Sequence, residues 1–136
     1  MRLIILTLFI CLFNCNATDE GADPQQIIEE RRIQYLLGSI EKSSVVFIRN
    51  GKEHTGKEAK EHLENKMNYA RRAYWLFGPK ADITVENFIS KIASKSSSSN
   101  IDYQVRLKNG KVMTTNEWLR EQLKSFSQTH SLPSKK

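Results

Sequence analysis

Arg49-Asn50-Gly51-Lys52-Glu53-His54-Thr55-Gly56-Lys57-Glu58 has an echo 59 residues later, Lys108-Asn109-Gly110-Lys111-Val112-Met113-Thr114-Thr115-Asn116-Glu117. Both stretches hold Asn-Gly-Lys, then Thr and Glu at the same spacing. Asn-Gly between extended runs is a strong short-range signal for a tight hairpin turn, because both residues tolerate positive φ. Thr-x-x-Glu is a capping box, in which the Thr hydroxyl and Glu carboxylate satisfy free N–H groups at a helix start. Each copy therefore predicts strand, turn, short return strand and helix. These are solutions that strand-to-helix links find independently, so the echo alone does not establish duplication.

The flanking segments extend this reading. Val45-Val46-Phe47-Ile48-Arg49 is β-branched and aromatic, and leads into the first turn. Tyr103 to Lys108 alternates and leads into the second. The return strands fall at Lys52–His54 and Lys111–Met113. After the first box, Ala59, Leu63, Met67, Ala70, Tyr74 and Phe77 advance by threes and fours, which predicts a long amphipathic helix stopped by Gly78-Pro79. After the second, Trp118, Leu119 and Leu123 mark a final helix. Asp23-Pro24 and Gln26 open a helix from Pro24 to about Lys42, carrying Ile33, Leu36, Leu37 and Ile40. A shorter helix begins near Thr84 with Val85, Phe88, Ile89 and Ile92, and gives way to the loop Ser96–Asn100. The expected fold is a small α+β domain over residues 18–126, with four helices and a minor antiparallel sheet. Residues 127–136 read as a disordered basic tail.

The first seventeen residues stand apart. Met1-Arg2 precedes an almost unbroken apolar run, Leu3 to Phe13, followed by Asn14-Cys15-Asn16-Ala17. One positive charge, an eleven-residue apolar core and a small-x-small end form the pattern of a secretory signal peptide, cleaved after Ala17. The core falls short of the roughly 20 residues a membrane span needs. The rival is a lipoprotein anchored at Cys15, but Asn14 stands where lipidation normally requires Gly, Ala or Ser. The expected location is the periplasm or the outside of the cell. Cleavage removes both cysteines, Cys11 and Cys15, so no disulfide or thiol chemistry is expected. It also lowers the net charge from +6 by the one unit of Arg2. The mature chain is then about one-third apolar, with no further segment suited to crossing a membrane.

This length suits one modest domain and excludes a multidomain enzyme. The sequence contains no Gly-x-Ser-x-Gly elbow, phosphate-binding glycine loop or His-Glu-x-x-His motif, and it implies no cofactor. His54, Glu58 and His62, spaced four and four, are the residues on which a small periplasmic hydrolase or metal-dependent enzyme would be built. The capping box competes for Glu58 and sets His54 outside the helix, so a metal site is not expected. A wheel of the long helix places His62, Asn65, Tyr69 and Arg72 beside the apolar stripe, as a polar aromatic strip able to meet an anion or glycan. Lys66, Arg71, Arg72 and Lys80 lie among Tyr69, Tyr74, Trp75 and Phe77 without an acid. Such a mixture suits nucleic acid or anionic lipid. Export argues against nucleic acid, and Tyr74 and Phe77 belong to the apolar stripe.

Phe47-Ile48-Arg49-Asn50-Gly51 … His54 … Glu58-Ala59 … His62-Leu63 … Lys66 resembles the YfeK-like family of small exported proteobacterial proteins, a domain of unknown function. Phe88-Ile89 … Ala93-Ser94 … Ser96 and Tyr103-Gln104-Val105 look like further blocks of that family. The resemblance spans roughly Ile27 to Leu123, with Tyr74 to Pro79 as an insertion. It implies a Gram-negative envelope protein with a small α+β domain, and marks Arg49, His54, His62 and Lys66 as motif positions without assigning roles. The functional expectation is an exported binding or interaction protein without catalysis. Its candidate surface is Arg49, His54, His62, Tyr69 and Arg72, and its partner an acidic component of the envelope.

Overall fold

A computed structural model of the chain describes residues 23–77 and 83–130. The expected signal segment and the Gly78-Pro79 stop lie outside the described residues, as do the side chains of Tyr74, Trp75 and Phe77. The α+β expectation holds: four helices pack with one four-stranded antiparallel sheet.

Helix α1 covers Pro24–Lys42, with Asp23 accepting a hydrogen bond from the Gln25 N–H and Pro24 in the first turn. Its apolar stripe, Ile33, Leu36, Leu37 and Ile40, is completely buried. Strands β1 (Val46–Arg49) and β2 (Lys52–His54) form the first hairpin, and helix α2 follows over Gly56–Phe77. Helix α3 is a single turn, Val85–Asn87, that widens directly into a π-helical turn, Phe88–Ile92. There the Ala93 N–H reaches the Phe88 carbonyl five residues back. Strands β3 (Gln104–Arg106) and β4 (Val112–Thr114) form the second hairpin. Helix α4 runs from Thr115 to His130, past Ser127 where the sequence turns polar.

Both capping boxes are formed. The Thr55 N–H and hydroxyl lie 2.7 and 2.9 Å from the Glu58 carboxylate, and the Glu58 N–H donates back to Thr55. Thr114 and Glu117 repeat the arrangement at 3.0, 2.9 and 3.2 Å. The turns, by contrast, differ. Asn50 and Gly51 both have positive φ, 49° and 75°, and alone connect Arg49 to its partner Lys52. That is the two-residue turn whose twist matches paired strands. In the second hairpin Gly110 has φ 84° while Asn109 is not positive, and Leu107 bonds to Lys111 across a three-residue loop. One extra residue therefore sits in the second turn. Before the turns, the core-facing residues correspond at a spacing of 58, Phe47 with Val105. After them the spacing is 59, His54 with Met113.

The sheet order is β2-β1-β3-β4, with Phe47 opposite Val105 at its centre. Helix α2 lies over the first hairpin and α4 over the second, while α1 packs against both helices. Phe47 and Trp118 join sheet to α4 edge to face, with ring centroids 5.6 Å apart. Lys60–Glu41 and Arg71–Glu30 ion pairs fasten α1 antiparallel to α2. The two helices approach so closely that a Cβ at Gly56 would fall 2.2 Å from the Ile40 carbonyl oxygen.

Candidate functional site

Alternation along β1 sends Arg49 to the same face as Phe47, two residues earlier. Pairing brings His54 opposite Phe47, and a Thr115 N–H bond to the Tyr103 carbonyl extends the β3–β4 ladder by one step. Arg49, His54, Tyr103 and Thr115 thereby share the face covered by α2. From α2, one turn apart, come His62 and Lys66. Arg49, His54, His62, Tyr103 and Thr115 line one cavity of about 60 Å³, walled by Phe47, Ala59, Leu63 and Ala93. Ala93 belongs to the end of the π-turn, so the widened helix closes one side of the cavity.

Cations gather here, and the one carboxylate on the lining, Glu58, is bound by Thr55 and not by them. The Arg49 Nη1 lies 2.8 Å from Nδ1 and 3.0 Å from Nε2 of His62. Arginine only donates, so a hydrogen bond between the two requires the imidazole to accept, as only its neutral form can. The His62 Nε2 is 3.2 Å from the Tyr103 hydroxyl, and the two rings meet edge to face at 6.1 Å. Lys66 donates to the Ile92 carbonyl at 2.7 Å and to that of Lys95, closing the end of the π-turn, with its Nζ 5.3 Å from the Tyr103 ring centre. Among the described residues, neither Arg49 nor Lys66 forms an ion pair with a carboxylate.

The titration behaviour follows from this crowding. Burial, then Arg49, Lys66 and His54, pushes the His62 pKa below its ordinary value. Burial, reinforced by Arg49, lowers that of Lys66. Burial raises the Tyr103 phenol, against the opposing pull of Arg49 and Ser96, so the hydroxyl stays protonated and able to donate. Two further groups are orphaned: His54 Nε2 and Thr115 Oγ1 are buried without a hydrogen-bond partner, and Thr115 as a whole is 2% exposed. Each unpaired buried group costs about 1–3 kcal/mol.

The structure thus brings together three of the residues singled out by sequence: Arg49, His54 and His62. Tyr69 and Arg72 stay outside, exposed on α2, Tyr69 at 76%. They lie on roughly the same side of the helix as His62 but two to three turns further, about 10–15 Å along its axis, beyond the cavity. Tyr103, Thr115 and the role of Lys66 escape sequence reading, although Tyr103 keeps phase with Val105 on its strand. Glu58 lines the cavity, but its carboxylate is engaged by Thr55, whose N–H and hydroxyl hold it below the usual carboxylate range. Among the described residues, no three His, Cys, Asp or Glu side chains are grouped to hold a metal ion. Among the described residues the second unit carries no matching set: the counterparts of Arg49, His54 and His62 are Leu107, Met113 and Glu121.

Fold and site together define a small α+β domain with one cationic, partly apolar cavity between sheet and helix. Residues 28–127 match the family of unknown function DUF5329, and the chain belongs to that family. It is 39% identical over 70 residues to the uncharacterized protein YfeK of Salmonella typhimurium. That alignment covers 51% of this chain and 52% of the relative, so the chain spans about half the length of the curated relative it matches. No solved structure matches it.

Proposed function

We propose that this is an exported, non-catalytic binding protein of the bacterial envelope, and that its ligand is a small anionic component held in the cavity of Arg49, His54 and His62. The observation that carries this reading is the convergence of Arg49 on the cavity unpaired with any carboxylate among the described residues, the lining Glu58 being engaged by Thr55. A guanidinium held between an imidazole and a phenol, near a second cation, is a preformed partner for an incoming negative charge. Export rests on the Met1–Ala17 pattern and on the family resemblance. Among the described residues no helix is long and apolar enough to cross a membrane.

The test is thermal unfolding at low ionic strength in the presence of acetate, lactate, phosphate or sulfate. A ligand of the native state raises the melting temperature with concentration. At least one of these anions is expected to stabilise the wild type, and Arg49→Gln to lose most of that gain while remaining folded. Equal responses of the two proteins would remove Arg49 from the account. Hydrolysis of an ester or peptide substrate that depends on His54 and His62 would replace the binding role with catalysis.

A further inference from the structure

Resting on the anion-binding reading above, we infer that the ligand is a short hydroxycarboxylate, with its carboxylate at Arg49 and its hydroxyl at the orphaned polar atoms of the cavity. Three observations restrict the chemistry. The first is the charge. Arg49 offers a planar fork suited to a carboxylate, beside the Tyr103 hydroxyl as a further donor. The second is the wall. Phe47, Ala59, Leu63 and Ala93 offer no hydrogen bonds from their side chains, so a tetrahedral oxyanion that needs donors on every side would be underserved. A carboxylate on a short carbon stem sets its polar end against the cation and its stem against this wall. The third is the pair of unpartnered buried atoms, His54 Nε2 and Thr115 Oγ1. Buried polar groups in native proteins are nearly always satisfied, and exceptions call for a partner. A hydroxyl both donates and accepts, so it can serve either atom.

The cavity sets the size. A volume of about 60 Å³ corresponds to roughly two water molecules, well below the about 150 Å³ of an engineered cavity that holds benzene. On that scale it encloses about two or three non-hydrogen atoms, one end of a short hydroxy acid, and the rest of the ligand lies at its opening. A free hydroxy acid and a hydroxylated carboxy-terminal residue of a longer chain share this chemistry, the remainder of the chain lying outside.

Thr115 decides the hydroxyl preference. It lies at the start of α4, where the corresponding residue beside α1 is Gly56, and its hydroxyl forms no bond within the fold. A site built to hydrogen-bond a substrate hydroxyl discriminates strongly against the analogue that lacks it.

The experiment is calorimetric titration of the full protein at low ionic strength with propionate, lactate, N-acetylserine and inorganic phosphate. Lactate or N-acetylserine is expected to bind about tenfold tighter than propionate, as one recovered hydrogen bond implies. N-acetylserine binding in preference to lactate would identify a chain end as the source, and the reverse a free acid. Thr115→Val, close in shape, should abolish the preference for the hydroxylated acid over propionate, and Thr115→Ser should restore it. A preference that survives in a folded Thr115→Val protein overturns the inference, as does equal binding of propionate and lactate. Phosphate bound as tightly as lactate overturns the carboxylate assignment but leaves anion binding at Arg49 intact. Failure of all four probes to bind contradicts both readings.

Discussion

At the scale of single residues, the site is a set of compromises around His62. Its imidazole can accept from Arg49 only when neutral, and burial and three neighbouring cationic or basic groups lower its pKa and so favour that form. Protonation is thereby penalised in the folded state relative to the unfolded chain, where the ordinary value is 6.5. The contribution to stability is complete above that value and declines as the pH falls from it towards the lowered folded value. Urea unfolding between pH 7.5 and 5 should show wild type losing stability on acidification more steeply than His62→Gln. Parallel curves would mean that the ring is not held neutral. An anion bound at Arg49 would offset the repulsion and flatten the wild-type curve. Arg49, His54 and His62 were legible because their residue types stand out in sequence. Thr115 was not, since its neighbour Thr114 caps the helix and only strand pairing reveals that Thr115 faces the cavity.

At the scale of elements, periodicity and caps carry most of the fold. The four-residue apolar rhythm of α1, the two Thr-x-x-Glu boxes and the two Asn-Gly turns each name a local structure that packing then keeps. Two features resist this kind of reading. The spacing of Val85, Phe88, Ile89 and Ile92 suits an α-helix and a π-turn equally, and the widened turn is visible only from the Ala93–Phe88 bond. The identical Asn-Gly pairs conceal different turns, because loop length depends on which flanking residues pair. Deleting Lys108 should convert the second loop into a two-residue Leu107-Asn109-Gly110-Lys111 turn like the first, with the core-facing residues still in phase. The melting temperature should then move by only a few degrees, a change of about 1 kcal/mol or less. Loss of cooperative unfolding would show that the three-residue loop sets the register.

Across the whole molecule, two similar strand-turn-strand-helix units form one sheet, and only the first supplies the cavity's cation and imidazoles. The second contributes the opposite wall, through Tyr103 and Thr115. Helix α1 holds the units together through the close contact at Gly56 and its ion pairs to α2. The polar strip expected along α2 divides physically: its beginning, at His62, turns into the cavity, while Tyr69 and Arg72 lie past the cavity in solvent. A helical wheel cannot distinguish these cases, because it records direction around the axis and not position along it.

That division supplies the most direct test of the claim that this cavity is the binding site. The backbone amide and imidazole resonances of the protein should be followed by NMR during titration with lactate. The predicted shifts are saturable and centred on Arg49, His54, His62, Tyr103 and Thr115, and they disappear in Arg49→Gln. Shifts gathered instead at Tyr69 and Arg72, with His62 and Thr115 unmoved, would contradict the account and return the function to the exposed face of α2.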